Sequence, residues 1–133
     1  MAKKFDPKKV IAVIGGIVVE GYAEGTFIEV TRNEDDHTYS GGSDGKGTFN
    51  INPNKSGTIK VTLQHNADSV NKLAALGLAG VTIPIVILDN NDGGQKVVGN
   101  ECVLQKQIDF SRAKEVGNVD ITYLCEEVYV LGL

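Results

Sequence analysis

A chain of 133 residues with 41% hydrophobic content amounts to one ordinary domain with material for a real core. A formal charge of −4, with acids and bases interleaved, excludes an extended nucleic-acid-binding surface, since the one basic cluster is Lys3, Lys4, Lys8 and Lys9. Abundant glycine (16 residues) and the absence of tryptophan suit tight turns between short strands rather than a helical bundle.

Residues 1–9 read as an N-terminal arm, flexible or contacting another subunit. Lys8 and Lys9 followed by IAVIGGIVV imitate the basic and apolar regions of a signal peptide, with Gly21-Tyr22-Ala23 as a cleavage-like site. The apolar run is short, is split by Gly15-Gly16, and falls far below the roughly 20 residues that span a bilayer. It reads more simply as two strands, 10–14 and 17–21, around a diglycine turn. Residues 26–33 then alternate, with Ile28 and Val30 on one side and Glu29 and Thr31 on the other.

A polar insert follows at 34–54, EDDHTYSGGSDGKGTFNINPN, far longer than the usual connection of about 4 to 6 residues. Its turn dipeptides Gly41-Gly42 and Asp44-Gly45, with strand-favouring Thr48, Phe49 and Ile51, can extend a hairpin. The alternatives are a protruding loop ordered by something outside the domain and a loose surface loop.

Residues 55–77 form the organising unit. Ile59, Val61 and Leu63 alternate with Lys60, Thr62 and Gln64, which predicts a strand with one apolar and one wet face. A helix follows, starting at Asn66 or Asp68 as cap, with Val70, Leu73, Ala74 and Leu76 as its stripe and Gly77 with Gly80 ending it. So narrow a stripe covers a sheet. Residues 82–88 read as a buried strand whose Pro84 belongs near a start or edge, and 89–94 as a hairpin turn. The last long strands are 97–109 and 118–130. In the second, Val119, Ile121, Tyr123 and Cys125 face one side, and Asp120, Thr122, Leu124 and Glu126 the other. Seven or eight strands and one helix predict a mainly β fold, a β-sandwich or small barrel with one flanking helix and a long protruding hairpin loop.

Signals of chemistry fail one by one. GGSDGKGT at 41–48 lacks the phosphate-loop spacing and the helix that should follow it. DNNDGG at 89–94 places Gly93 and Asn100 where a calcium loop needs ligands. His37 with Asp35 and Asp36, and His65 alone, lack a second histidine at ligand spacing and read as a solvated loop residue and a strand-end residue. Cys102 and Cys125 match no metal pattern and read as buried thiols rather than a disulfide. No GxSxG, Cys/His pair or carboxylate pair in an apolar setting is present in the sequence. Asn54-Lys55-Ser56 is a chance sequon. The residues therefore point away from an enzyme and from cofactors, and toward a subunit whose wet strand faces join edge to edge with copies of itself into a barrel with an aqueous interior.

The ordered series Val13-Ile14-Gly15-Gly16, Gly21-Tyr22-Ala23-Glu24-Gly25, Ile28-Glu29-Val30-Thr31-Arg32, Asp44-Gly45, Ser56-Gly57-Thr58-Ile59-Lys60-Val61-Thr62-Leu63 and Lys114-Glu115-Val116-Gly117 resembles the tail tube proteins of contractile-tailed bacteriophages, in particular a group of short ones. The resemblance covers about residues 10–129. It implies hexameric rings stacked into a tube inside a contractile sheath. Four strands of each subunit would join an inner barrel, and the 34–54 loop would bridge to the next ring.

Placed on this sequence by alternation, the lumen-lining residues are Glu29, Thr31, Lys60, Thr62, Gln64, Gln105, Gln107, Asp120 and Thr122, with Lys60 paired to Glu29. The inter-ring loop is carried by Asp35, Asp36, His37, Tyr39, Asp44, Lys46 and Phe49. The implied partners are further copies of the chain, sheath protein, baseplate and tail-terminator proteins, and tape-measure protein and DNA transiently in the lumen, with no membrane binding. The implied location is the virion tail, assembled in the bacterial host cytoplasm. A hydrated, slightly negative lining would let DNA slide without binding it. The inner tube of a type VI secretion or phage-derived bacteriocin particle carries most of the same signals. A different class is a stand-alone β-sandwich that binds protein or carbohydrate through the 34–54 loop, against which an aromatic content of 6% counts for sugars.

Overall fold

The computed structural model describes residues 2–132. A 3-10 turn, Pro7–Lys9, leads into β1 (Val10–Ile14) and β2 (Ile17–Val18). Gly15 and Gly16 make the turn between them at φ 56° and 86°, a left-handed conformation that glycine adopts without a steric cost. Next come β3 (Ile28–Arg32), β4 (His37–Gly41), β5 (Gly47–Ile51), β6 (Gly57–Gln64), α1 (Asp68–Leu78), β7 (Ile83–Asp89), β8 (Gln95–Leu104) and β9 (Asn118–Gly132).

Seven strands form one antiparallel sheet in the order β2-β1-β7-β8-β9-β6-β3, and β4 and β5 form a separate two-stranded sheet. The chain after β2 draws the ends of the large sheet together. Val19 N–H still donates to Ala12 O of β1 at 2.9 Å, while Ala23 N–H donates to Thr62 O of β6 at 3.1 Å and Tyr22 bridges to Leu63. The sheet thus curls around one core, built from Ile14, Ile59, Val61, Leu63, Leu73, Ile85, Ile121 and Tyr123, all below 2% exposed. This is the mainly β architecture with one flanking helix that the alternation predicts.

Several elements differ in detail from expectation. Helix α1 starts at Asp68, and its N-cap position falls between the two polar candidates: Ala67 holds it with no side-chain bond, so neither Asn66 nor Asp68 caps the helix. Gly77 lies inside the helix, where its missing side chain lets Leu104 approach, and Gly80 supplies the left-handed turn beyond. Val70 and Leu73 are buried as predicted, and Ser69 joins them, its Oγ accepting from Glu20 N–H at 2.8 Å. Pro84 sits second in β7, at a register shift between Ile83 and Ile85, where its carbonyl accepts from Gly15 N–H.

Buried Asn91, in the β7–β8 turn, holds the N-terminal segment through both ends of its side chain. Its Oδ1 accepts from Asp6 N–H at 2.8 Å and its Nδ2 donates to Asp6 O at 3.1 Å. Cys102 and Cys125 are free, buried and directly opposite one another on β8 and β9. Hydrogen bonding to Cys125 and then burial raise the pKa of the Cys102 thiol and keep it protonated. Burial pushes the Tyr123 hydroxyl up to about 12. Among the described residues no helix is long and apolar enough to cross a membrane.

Candidate functional site

The first candidate surface is the outer face of four neighbouring strands, β8-β9-β6-β3. Period-two alternation sends Ile59, Val61 and Leu63 of β6 inward and leaves Thr58, Lys60, Thr62 and Gln64 outward. The register aligns Glu29 of β3, Lys60 of β6 and Thr122 of β9 in one row. Thr62 lies beside Asp120, to which its hydroxyl donates at 2.8 Å, and Thr31 lies one row away beside Thr58. The structure therefore brings Glu29, Thr31, Lys60, Thr62, Gln64, Asp120 and Thr122 onto one face.

Two of the sequence-derived residues stand apart. Strand β8 ends at Leu104, five residues before the predicted limit, because its partner β7 begins only at Ile83, opposite Cys102. Gln105 lies just past the strand end, held by its N–H to Thr122 O at 3.0 Å. Gln107 has left the sheet and lies beside Ala74 and Leu78 of α1. Lys60 and Glu29 are directly opposite, yet among the described residues they form no ion pair.

The sequence also hides a change of phase. Glu126 and Glu127 are both exposed between buried Cys125 and Val128, and across from them Asn100 and Glu101 are exposed between Gly99 and Cys102. Glu101 takes a φ of 50° there. Both strands thus exchange their inner and outer faces at one level. A hydrogen bond with Glu101, followed by repulsion from Glu101 and Glu127, raises the Glu126 carboxyl above its ordinary pKa.

The second surface is the β4–β5 ribbon. The 34–54 insert carries its own ladder, so it is ordered from within rather than by something outside. Tyr39 faces Phe49 and His37 faces Ile51, which places these four side chains on one side, and Thr38, Ser40, Thr48 and Asn50 on the other. Tyr39, Phe49 and Ile51 are 61%, 74% and 75% exposed, so the ribbon presents an uncovered apolar face. The rings of Tyr39 and Phe49 sit 5.6 Å apart, tilted. Tyr39 lies over Gly47, where a methyl group would come within 2.0 Å of its hydroxyl. At the tip, Asp44 Oδ1 accepts from Lys46 N–H at 3.1 Å and Gly45 takes a φ of 87°.

At the ribbon's root Arg32 and Asp36 form an ion pair, Lys55 Nζ reaches Asp36 Oδ1 at 3.0 Å, and Asp35 and Glu34 lie beside them. Arg32 also donates to Val128 O and lies over the Tyr129 ring, 5.5 Å from its centroid. Sequence reading missed this node, since Arg32 and Val128 are far apart along the chain. A hydrogen bond from Lys55, aided by the charges of Arg32 and Lys55 against the opposing effect of desolvation, holds the Asp36 carboxyl below its ordinary pKa.

A carboxyl depressed in the folded state contributes stability above the ordinary carboxylate range and loses it as pH falls through the folded value. The ribbon root should loosen in acid accordingly. Amide exchange in β4 and β5 should be faster at about pH 3 than at about pH 6 after correction for intrinsic rates. Asp36→Asn should speed exchange at the higher pH and remove the pH difference, leaving global melting unchanged. Equal rates in both proteins at both pH values would discard the node as the ribbon's anchor.

Among the described residues no group of three or more His, Cys, Asp or Glu is placed to hold a metal ion. No protein-family model matches the chain, and no curated protein matches its sequence. Solved structures do. A chain of the anti-feeding prophage cap, the AFP tube terminating cap, superposes with a TM-score of 0.65 at 9% identity, covering 100% of this chain and 94% of that one. A chain of the PVC sheath-tube complex of an extracellular contractile injection system, in its extended state, gives 0.61 at 12% identity, covering 98% and 93%. One from the PVC sheath/tube terminator gives 0.62 at 11% identity, covering 97% of both chains. At such low identity the shared property is the fold, and over essentially its whole length this chain has the fold of chains found in tube, sheath-tube and tube-end assemblies of contractile injection systems.

Proposed function

We propose that the chain is a non-enzymatic, tube-forming subunit of a contractile injection particle, in which copies join edge to edge into rings and rings stack within a sheath. The observation that carries this reading is the run of four adjacent strands, β8-β9-β6-β3, with a largely polar outer face, broken by exposed Val103 and Leu124, and β3 as its terminal strand. An edge strand offers unpaired N–H and C=O groups to another chain, and ring closure removes that liability. The outer face would then line the channel, with Glu29 and Asp120 keeping it slightly negative and Lys60 relieving their repulsion. The fold shared with chains of sheath-tube and terminator assemblies supports the same reading.

A phage tail tube that passes DNA is the second reading, favoured by the ordered motifs from Val13 to Gly117. Hexameric rings and contacts with sheath, baseplate, terminator and tape-measure proteins belong to either reading. Electron microscopy of the purified protein tests the shared core of the proposal. Rings stacked into tubes with a central channel are expected. Rings that never stack would indicate a tube-end component, and a monodisperse monomer at high concentration would end the proposal.

A further inference from the structure

Cys102 and Cys125 are the chain's two cysteines, both free and buried, and the tube reading uses neither. Backbone pairing fixes how they meet. Gln105 N–H donates to Thr122 O, so that level carries ladder bonds, and along antiparallel strands such levels alternate with unbonded ones. Three residues away, Cys102 opposite Cys125 therefore falls on an unbonded level, where Cα atoms approach to about 4.5 Å and side chains come closest. That separation lies within the range of about 4.4 to 6.8 Å that a disulfide spans. The sulfurs are in hydrogen-bond contact with each other, and both border Gly99, where an added methyl group would come within 3.0 Å of Cys102 Sγ and 3.3 Å of Cys125 Sγ. Glycine at this position leaves room for both.

The ladder is interrupted beside them. Asn100 and Glu101 of β8 stand opposite the single residue Pro84 of β7, which has no N–H to give, and Glu101 takes a φ of 50°. Across from them Glu126 and Glu127 of β9 are both exposed, and these side chains with Pro84 line a depression of about 510 Å³. Glu101 precedes Cys102 and Glu126 follows Cys125, so the depression lies next to the thiol pair. Its carboxylates repel anions and leave a small uncharged molecule free to enter. We propose that Cys102 and Cys125 form an oxidation site, at which hydrogen peroxide entering by this depression joins them in a disulfide that staples β8 to β9 within the folded subunit.

One peroxide balances the step. The Cys102 S–H donates to the Cys125 sulfur and favours the thiolate there, against the opposing effect of burial. The Cys125 thiolate attacks one peroxide oxygen, the O–O bond breaks, hydroxide leaves with the proton that Cys125 gave up, and a sulfenic acid remains. The Cys102 sulfur then displaces the hydroxyl group: the S–S bond forms, the S–O bond breaks, and the departing hydroxide takes the Cys102 proton. Two thiols have lost two electrons and two protons, and the peroxide has become two water molecules. The bridge closes a loop of about 24 residues that contains the largely exposed segment 105–117. Lys106, Arg112 and Lys114 in that segment are cleavage points for a trypsin-like protease, and a cut there would leave β9 held between β8 and β6 by noncovalent pairing alone. The staple keeps the two pieces joined. It acts within one subunit, so it goes beyond the tube reading and does not depend on it.

Peroxide treatment of the reduced full-length protein, freed of reductant, tests it. Thiols titrated in denaturant should fall from two to none, the mass should drop by two hydrogen atoms, and the chain should stay monomeric on a non-reducing gel. Closing a loop of this length should raise the melting temperature by about 10 °C, and dithiothreitol should reverse every change. After trypsin, the fragments on either side of 105–117 should remain linked until reductant is added. Cys102→Ala and Cys125→Ala, each with one thiol left, should gain no stability from peroxide. Sulfinic or sulfonic acid in place of the bridge would overturn the proposal, as would covalent dimers, or two intact thiols after free cysteine in the same tube has been consumed. A bridge that lowers the melting temperature would reject the staple. Oxidised glutathione, larger and anionic, should react far more slowly than peroxide, and equal rates would reject the depression as the route.

Discussion

Val61→Asp should leave the chain unfolded at room temperature. Val61 is 0% exposed in β6, flanked by Ile28 on β3 and Ile121 on β9. A carboxylate there has no cation to meet, so it must either stay charged in an apolar core or take up a proton at a large cost. Buried unpaired charges belong to the small class of substitutions that cost more than about 4 kcal/mol. Total stabilities of such domains are only about 5 to 15 kcal/mol. One residue further along, Thr62 points outward beside Asp120. Thr62→Lys should therefore leave stability within about 0.5 kcal/mol of the parent. The contrast between adjacent positions tests the alternation itself, read by urea or thermal denaturation. A Val61→Asp protein that melts with the parent would place that face of β6 outside the core.

That alternation is why much of the fold was legible beforehand. Ile59, Val61 and Leu63 among Lys60, Thr62 and Gln64 state a two-residue period that only a half-buried strand satisfies, and Val119 to Cys125 repeat it. Gly15-Gly16 named its own turn because two left-handed residues in succession suit few others. The failures share a different cause. Gln105 and Gln107 sit in text that alternates like the strand before it, yet strand length depends on neighbours, and β7 is absent beyond Ile83. The face exchange at Glu126 and Glu127 needs Asn100 and Glu101 across from it. Asn91 with Asp6 and Arg32 with Val128 join positions 85 and 96 residues apart, which no local period encodes. The ribbon was visible as turn dipeptides and strand formers. Its apolar side emerged only once pairing put Tyr39 opposite Phe49.

Replacing 37–51 with a short Gly/Ser linker should abolish tubes while leaving the subunit folded. Every residue of β4 and β5 is exposed, and the ribbon shares no ladder with the seven-stranded sheet, so its removal takes nothing from the core. Asp36 and Lys55 lie outside the excised segment, and the Arg32 node at its root survives. Loop-closure entropy changes by only about 0.6 kcal/mol per doubling of length, so melting should shift little. Assembly should respond very differently. The excised ribbon takes with it the exposed apolar face of Tyr39, Phe49 and Ile51 with which the 34–54 loop would bridge to the next ring, while the edge of β3 remains free to close rings. Single rings without tubes are the expected image. Tubes of ordinary length would show that stacking resides elsewhere, and an unfolded variant would show that the ribbon supports the core despite its exposure.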